Sequence, residues 1–390
     1  MPPFHLNAPL DAELRRIADA GLTRRRRILD SPSSPFVRVD GRDLLAFASN
    51  DYLGLATHPE VVRALAEGAL AHGAGAGASH LVSGHLRPHE DLERRLAALT
   101  GFTRALSFSS GYLANLAVTP TLAASREDGI FADKLNHASL IDAAQLSRAR
   151  HHRYPHRDMT ALERLLTESS ARTKVIVTDA VFSMDGDLAP LPELFALAER
   201  FDTWLVVDDA HGFGVLGPNG AGSLAHFGIP AHPRIVLMGT LGKAAGVSGA
   251  FVAGSEIVIE TLLQKARSYI FATAQPPALA SALLKSVELI ANGEAQRAHL
   301  QRLIRQLRNG AKSLPWQLLP SETAIQPLIV GENDAALALS HRLWEQGLWV
   351  AAIRPPTVPV GTARLRISLS AAHSEADVAR LLEALNAAAP

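Results

Sequence analysis

The stretch Arg234–Gly254 reads RIVLMGTLGKAAGVSGAFVAG, and it decides the fold because two strand-like runs enclose a segment of small residues. The runs RIVLMGT and GAFVAG have the length and apolar composition of short buried strands bounded by turn residues. Between them lies one charged residue, Lys243, near several glycines. Burial lowers the pKa of a lysine and exposes a nucleophilic amine. The alternative interpretation is a surface lysine on a glycine-rich turn, and this stretch alone leaves both open.

Strand-like runs of the same kind recur along residues 53–288, separated by helical patterns such as PHEDLERRLAALTG and LPELFALAERF. Further predicted strands lie at 104–110, 129–134, 174–183 and 203–211. Apolar strands that alternate with helices indicate an α/β domain with a mostly parallel sheet. We therefore predict a central α/β domain over 53–288, with a mostly parallel central sheet flanked by helices.

Two smaller parts flank this predicted central domain. Residues 1–52 form an N-terminal arm, in which we expect a basic amphipathic helix over 11–29 and a hairpin that turns at Asp40-Gly41. Residues 289–390 form a C-terminal α+β domain. Its predicted helices lie around 294–312, 335–347 and 374–388, and its predicted strands lie around 325–330 and 363–369.

The composition excludes several classes of protein. The 390 residues carry 38 basic and 38 acidic side chains, which argues against a partner that is nucleic acid or an anionic membrane. Since the chain has no cysteine, disulfides, thiolate catalysis and cysteine-ligated metals are excluded. We find no HExxH or comparable histidine spacing, so we expect no metal site. No apolar run reaches membrane-spanning length, and the N-terminus lacks a secretory pattern, so we expect a cytoplasmic protein.

Polar residues follow several of the predicted strands. In open α/β folds, ligands bind beside the carboxyl ends of the strands. Asp208 and Asp209 are adjacent at one strand end, so we expect their side chains to point to opposite faces. Gly111 opens a helix after another strand, and a helix N-terminus offers N–H groups to a phosphate. Ser183 and His137 follow two more strands. An acid and a lysine beside a phosphate cradle are what pyridoxal phosphate chemistry requires.

The sequence contains five motifs that make it resemble the α-oxoamine synthases. These are pyridoxal-phosphate enzymes with the aspartate aminotransferase fold, which is fold type I. The resemblance covers essentially the whole chain. The motifs are SNDYLGLATHPEV, VFSMDGDLAPL, DDAHGFGVLG, TLGKAAGVSGA and IRPPTVPVGTARLRISLSAAH.

The resemblance implies a role for individual residues. Lys243 would hold pyridoxal 5'-phosphate as a Schiff base and act as the base at the substrate Cα, while Asp208 would pair with the ring nitrogen. His211 and Ser183 would lie at the phenolic oxygen, and His137 would stack on the ring. Further residues implied to contact the phosphate are Gly111, Tyr112, Thr240 and, from the neighbouring subunit of a homodimer, Thr273. Residues implied to hold the substrate carboxylate or acyl chain are Arg24, Asn50, Thr357 and Arg366, together with His137.

The resemblance also implies the reaction. AIQPLIVGEN and IRPPTVP favour the branch that condenses L-alanine with a pimeloyl thioester, carried by CoA or by acyl carrier protein. The alternatives are a sister oxoamine synthase such as aminoketobutyrate ligase, an aminotransferase, or a non-catalytic subunit. The last is disfavoured because Lys243, Asp208 and His211 are all present. The sequence departs from the family where Asp179 replaces an expected glutamate and where GAGASH replaces a more glycine-rich run.

Overall fold

The computed structural model describes residues 7–389, which form an α/β architecture with one large and two small sheets. The strands, in chain order, are β1 Phe36–Val39, β2 Arg42–Ala46, β3 Arg104–Phe108, β4 Gly129–Asp133, β5 Arg150–Tyr154, β6 Lys174–Asp179, β7 Trp204–Asp208, β8 Ile235–Thr240, β9 Ala250–Gly254, β10 Gln317–Leu318, β11 Ile325–Gly331, β12 Leu348–Trp349, β13 Ala351–Ile353 and β14 Ala363–Ser368.

Helices cover both faces of the large sheet and pack on the smaller sheets. They are α1 Ala8–Asp19, α2 Pro59–His72, α3 Arg87–Thr100, α4 Gly111–Leu122, α5 Ala138–Leu146, α6 Met159–Glu168, α7 Leu191–Arg200, α8 Ser223–His226, α9 Glu256–Lys265, α10 Arg267–Ile270, α11 Pro277–Ala291, α12 Glu294–Gly310, α13 Asn333–Glu345 and α14 Glu375–Ala387. Within residues 7–389, no helix combines the length and apolarity needed to cross a membrane.

The large sheet has seven strands in the order β3-β9-β8-β7-β6-β4-β5. β9 runs antiparallel to its two neighbours, β3 and β8. The remaining strands, from β8 through β7, β6 and β4 to β5, all pair in parallel. The central strands are apolar along nearly their whole length because helices cover them on both faces. The predicted mostly parallel sheet is confirmed.

The N-terminal arm differs from its prediction. α1 ends at Asp19, because the chain turns at Gly21 with a φ of 67° and is not helical over residues 22–28, so the helix predicted over 11–29 is wrong in its second half. The predicted hairpin is present, and it turns at Asp40-Gly41 with positive φ at both residues. β2 also pairs in parallel with β12, which attaches the hairpin to the C-terminal part of the chain. The division into three domains stays a prediction.

The carboxyl ends of β3, β4, β6, β7 and β8 lie at one edge of the large sheet, because β3 and β8 both run opposite to β9 between them. The polar residues that follow these strands therefore converge. The loop that carries Lys243 joins β8 to β9 at the same edge. Gly246 allows this loop to approach the segment after β2, since a Cβ at this position would lie 2.4 Å from the Ala56 nitrogen.

Candidate active site

Lys243 is a half-buried lysine that points into the protein. Its Nζ lies 2.8 Å from Nε2 of His211. Burial lowers the pKa of Lys243 to about 8, although the charges of Asp208 and Asp179 oppose this shift and Arg366 adds to it. The interpretation as a surface lysine is therefore wrong. An amine with this pKa is partly neutral, and hence nucleophilic, near neutral pH.

Asp208 and Asp209 point to opposite faces of the sheet edge, as predicted. Asp208 accepts a hydrogen bond from Asn115 Nδ2 at 2.7 Å and one from the Ala210 amide at 3.0 Å. Asp209 accepts from the Ser223 amide at 2.7 Å and from the Ser223 hydroxyl. Burial raises the pKa of Asp209 to about 7, although the Ser223 hydrogen bonds oppose the shift. Asp209 thus ties the loop after β7 to the start of α8.

His211 lies in the interior between Lys243 and the segment that follows β2. Its Nδ1 is 2.7 Å from the hydroxyl of Tyr52, which is also buried. Burial lowers the pKa of His211 well below the usual range, and the positive charges of Lys243 and Arg366 lower it further. The ring is therefore neutral at physiological pH. It contacts Lys243 directly, which agrees with its predicted place in the site.

His137 caps the N-terminus of α5 and has an exposed side chain. Its Nδ1 lies 2.7 Å from the Ser139 hydroxyl, and its backbone amide donates to Asp179 Oδ2 at 2.7 Å. These contacts hold the ring at the sheet edge, where it is exposed. Asp179 is the residue that departs from the expected glutamate. Its burial, together with the charge of Asp208, raises its pKa well above the usual range.

The predicted phosphate end of the site lies at the start of α4. Ser110 caps this helix by accepting a hydrogen bond from the Leu113 amide at 3.3 Å. A Cβ on Gly111 would lie 3.8 Å from Cβ of Thr240, so the structure brings these two predicted residues together. The Thr240 hydroxyl donates to the Gly249 carbonyl at 3.2 Å. Tyr112 is 43% exposed, and its hydroxyl donates to Asp142.

Arg366 is buried, with only 7% of its surface exposed. Its Nε donates to the Ser183 carbonyl at 2.6 Å, and its Nη1 donates to Asn50 Oδ1 at 3.1 Å and to Ser368 Oγ at 2.8 Å. Arg366 is therefore an interior arginine and does not face the solvent. Ser183 approaches the site through its backbone carbonyl in these contacts.

Three predicted residues lie apart from this cluster. Arg24 and Thr357 have exposed side chains, and no hydrogen bond among the described residues joins either one to the surroundings of Lys243. Their segments do approach each other, because the guanidinium of Arg354 donates to the Gly21 carbonyl. Thr273 is also exposed, and its contact with Ser79 is an isolated antiparallel bridge.

Sequence reasoning missed two residues of the cluster, Asn115 and Tyr52. Asn115 lies four residues after Gly111 on the buried face of α4, so helical periodicity from the predicted phosphate end would have indicated it. Tyr52 lies two residues after Asn50 within SNDYLG, but an aromatic side chain in an apolar segment is usually part of the core. No signal in the sequence distinguishes it.

The donor set fits pyridoxal phosphate. The site combines an interior amine, a carboxylate beside it, an imidazole at the rim, and a helix N-terminus that has a hydroxyl next to it. Lys243, Asp208, His137 and the start of α4 supply these groups in turn, and the Cβ-free Gly111 leaves room at the helix end. A helix N-terminus of this kind binds phosphate through its free amides and its dipole.

Comparisons with known proteins agree with this assignment. Residues 42–385 match the family described as aminotransferase class I and II. The chain is 69% identical to the 8-amino-7-oxononanoate synthase of Dechloromonas aromatica over 379 residues, which cover 96% of this chain and 98% of the relative.

Two solved structures are similar in fold along most of the chain. A structure of SPT with a PLP internal aldimine has a TM-score of 0.92 and 30% identity, covering 98% of this chain and 97% of that one. The 8-amino-7-oxononanoate synthase of Francisella tularensis has a TM-score of 0.77 and 32% identity, covering 88% and 97%. The cofactor is pyridoxal phosphate, and the chain belongs to the aminotransferase class I and II family of fold-type I enzymes, with the 8-amino-7-oxononanoate synthases among its similar relatives.

Proposed function

We propose that this protein condenses L-alanine with a pimeloyl thioester and releases CO2 and the free thiol carrier, which gives 8-amino-7-oxononanoate, a step of biotin biosynthesis. The observation that carries the proposal is an interior lysine with a pKa of about 8 that shares one hydrogen-bonded cluster with a buried arginine. The name and the 69% identity of the Dechloromonas aromatica relative support this choice of substrates.

Lys243 has two tasks in this proposal. Its neutral amine would hold pyridoxal phosphate covalently, and the same amine would accept the proton from the substrate Cα. Bound pyridoxal phosphate supplies the electron sink that makes this Cα–H acidic. Asp208 faces the same edge and would keep the ring nitrogen protonated, with Asn115 and the Ala210 amide fixing the orientation of the carboxylate.

Arg366 is proposed to bind the carboxylate of the amino acid. Its guanidinium is already held by Ser183, Asn50 and Ser368, so it loses little side-chain freedom when an anion binds. These three bonds use Nε and both hydrogens of Nη1, which leaves the two N–H groups of Nη2 to donate to a carboxylate. Arg24 and Thr357, on exposed segments that approach each other, are proposed to contact the acyl chain.

We also propose a homodimer whose active site lies at the subunit boundary. Within residues 7–389, no hydrogen bond joins Thr273 to the groups around Lys243, and its side chain is exposed. Phe271 is 70% exposed and Val82 is 79% exposed, and both lie within three residues of the Ser79–Thr273 bridge. Exposed apolar residues in one patch mark interaction sites. A second copy that covers this patch would bring Thr273 to the phosphate site of its neighbour.

The cytoplasmic location stays a prediction.

Substrate choice tests the proposal. The purified holoenzyme is incubated with L-alanine, glycine or L-serine, each with pimeloyl-CoA, acetyl-CoA or palmitoyl-CoA, and free thiol is measured. We expect the pair of alanine and pimeloyl-CoA to be turned over at least about 100-fold faster than any other pair, and mass spectrometry to show the mass of 8-amino-7-oxononanoate. A preference for glycine or serine would place the protein on another branch of the family. Transamination without thiol release would contradict the proposed reaction.

A further inference from the structure

Tyr52 belongs to a chain of hydrogen bonds that connects Arg366 to Lys243 through the interior. Arg366 Nη1 lies 3.1 Å from Asn50 Oδ1, and the same oxygen lies 3.0 Å from the Tyr52 hydroxyl. The hydroxyl lies 2.7 Å from His211 Nδ1, and His211 Nε2 lies 2.8 Å from Lys243 Nζ. The two ends of this chain are the proposed carboxylate-binding group and the proposed cofactor-binding amine.

The direction of each bond in the chain follows from its arginine end. A guanidinium can only donate, so the atom of Asn50 that faces Arg366 must be its carbonyl oxygen. That oxygen can only accept, so Tyr52 gives its single proton to Asn50. Burial raises the pKa of Tyr52, which keeps this proton on the oxygen. The Tyr52 oxygen must then accept from the ring of His211.

We propose that Tyr52 is a positioning residue that fixes His211 as the tautomer protonated on Nδ1, so that Nε2 presents a bare lone pair to the Lys243 amine. Lys243 donates to this lone pair, and all four contacts are then satisfied. The inference rests on the proposed role of Lys243.

The tautomer has a measurable consequence for Lys243. A lone pair on Nε2 stabilises the ammonium form of the lysine, whereas an N–H at Nε2 stabilises the neutral amine, which can accept from it. Without the Tyr52 hydroxyl, Nδ1–H loses its acceptor and the ring is free to carry its proton on Nε2. The other groups that act on the charge of Lys243 or His211 are Asp208, Asp179, His137 and Arg366. Replacing Tyr52 leaves the charge of each of them in place.

The test measures the pKa of Lys243 in the full chain free of cofactor, by competitive acetylation across pH and mass spectrometry of the peptide that contains Lys243. We expect Tyr52→Phe to lower this pKa by about one unit, the size typical of losing one hydrogen bond to a charged group. Tyr154→Phe is the matched control. Tyr154 is equally buried and its hydroxyl has no hydrogen-bond partner among the described residues, so we expect no change.

Asn50→Leu is a second variant that keeps Tyr52 in place. Without the Asn50 oxygen, Tyr52 turns its proton toward His211 Nδ1, and the pKa of Lys243 should fall as it does in Tyr52→Phe. If Tyr52→Phe does not fold, Asn50→Leu decides the question alone. A pKa of Lys243 that is unchanged or raised in either folded variant would overturn the inference. The proposed function fails separately, if borohydride does not link the cofactor to Lys243 in the unaltered protein.

Discussion

Asp208 and Asp209 show that a shift of one residue along the chain changes which groups a carboxylate contacts. They are neighbours in sequence, yet one faces Asn115 at the sheet edge and the other faces Ser223 behind it. Strand alternation predicted this separation from the sequence alone. It did not predict the partners, because Asn115 and Ser223 come from segments that only the folded chain brings to β7.

The two aspartates should respond differently to the same substitution. Asp208→Asn removes the charge that we propose faces the ring nitrogen, and we expect kcat to fall about 100-fold or more, since breaking a buried ion pair costs about 3–5 kcal/mol. Asp209→Asn should lower the free energy of unfolding by about 1–3 kcal/mol, because a hydrogen bond to Ser223 is weakened, and leave most activity in the folded fraction. Steady-state kinetics and urea titrations measure both effects. Greater loss of kcat in Asp209→Asn would contradict the assignment.

Arg366→Ala should weaken amino-acid binding without releasing the cofactor. We expect KM for L-alanine to rise about 10- to 100-fold, the range for losing hydrogen bonds to a charged group. The absorbance of the bound cofactor should stay unchanged, which also shows that the variant is folded. Arg366→Lys, which keeps the charge and loses the planar fork, serves as the matched control and should have an intermediate KM. An unchanged KM in Arg366→Ala would show that another group binds the carboxylate.

The pKa of Lys243 predicts how cofactor capture depends on pH. Only the neutral amine attacks the aldehyde, so the rate at which the cofactor-free chain binds pyridoxal phosphate should rise with pH and level off above about 8. An exposed lysine would level off only above about 10. Stopped-flow absorbance measures this rate. A rate still rising steeply at pH 10 would show that burial does not lower the pKa of Lys243.

At the scale of the element, hydrophobic patterning predicted the buried strands and missed the polar ones. β6, β7 and β8 are apolar because helices cover both faces of the sheet, so the sequence reveals them. β5, with the sequence RHHRY, lies at the edge of the same sheet, where exposure permits polar residues, and its pattern predicted no strand. α1 was predicted too long because its basic residues continue past Gly21, where the backbone turns.

Outside the site, His156 joins the end of β4 to the turn after β6 through two carboxylates. His156 lies 3.0 Å from Asp133 at the end of β4 and 2.9 Å from Asp187 in the turn after β6. Burial alone would lower the pKa of His156, but the hydrogen bonds and charges of the two carboxylates outweigh it and raise the pKa to about 9. The folded protein therefore binds a proton here more tightly than the unfolded chain does.

This contact predicts a stability that declines with pH. Its contribution is complete below pH 6.5, the usual histidine pKa, and is lost as pH rises to about 9. We expect the free energy of unfolding, from urea titrations, to fall by about 2–3 kcal/mol more across this interval in the unaltered protein than in His156→Gln. His341→Gln, at an exposed histidine, should behave like the unaltered protein. Equal pH dependence in His156→Gln would refute the contact's role.

For the whole molecule, we predict a homodimer, because one chain leaves the apolar patch around Phe271 and Val82 exposed. We expect sedimentation to show a dimer at assay concentrations. Replacing Phe271 with Arg, in the middle of the proposed contact, should shift it toward monomer and reduce kcat at least about tenfold, because each site would lose the partner's Thr273. Ile257→Arg, at an exposed apolar residue on α9, is the control and should stay dimeric. A fully active monomer would rule out a shared active site.

The sequence predicted the location of the site better than its supporting contacts. Strand-end positions and the resemblance placed Lys243, Asp208, His211 and Thr240 near one edge, and the structure brings them together there. Arg24 and Thr357 stay apart from the cluster, because their segments are exposed and make no hydrogen bond to it within residues 7–389. The role of Tyr52 depends on the direction of four hydrogen bonds, which no local pattern encodes.

We propose that Lys243 holds pyridoxal phosphate, and each other proposed role is defined relative to that bond. The most direct measurement is borohydride reduction of the holoenzyme, proteolysis and mass spectrometry of the labelled peptide. We predict one pyridoxyl group per chain, on Lys243, and none on the Lys243→Ala variant. A label on any other lysine, or a reducible link that persists in Lys243→Ala, would show that another residue holds the cofactor.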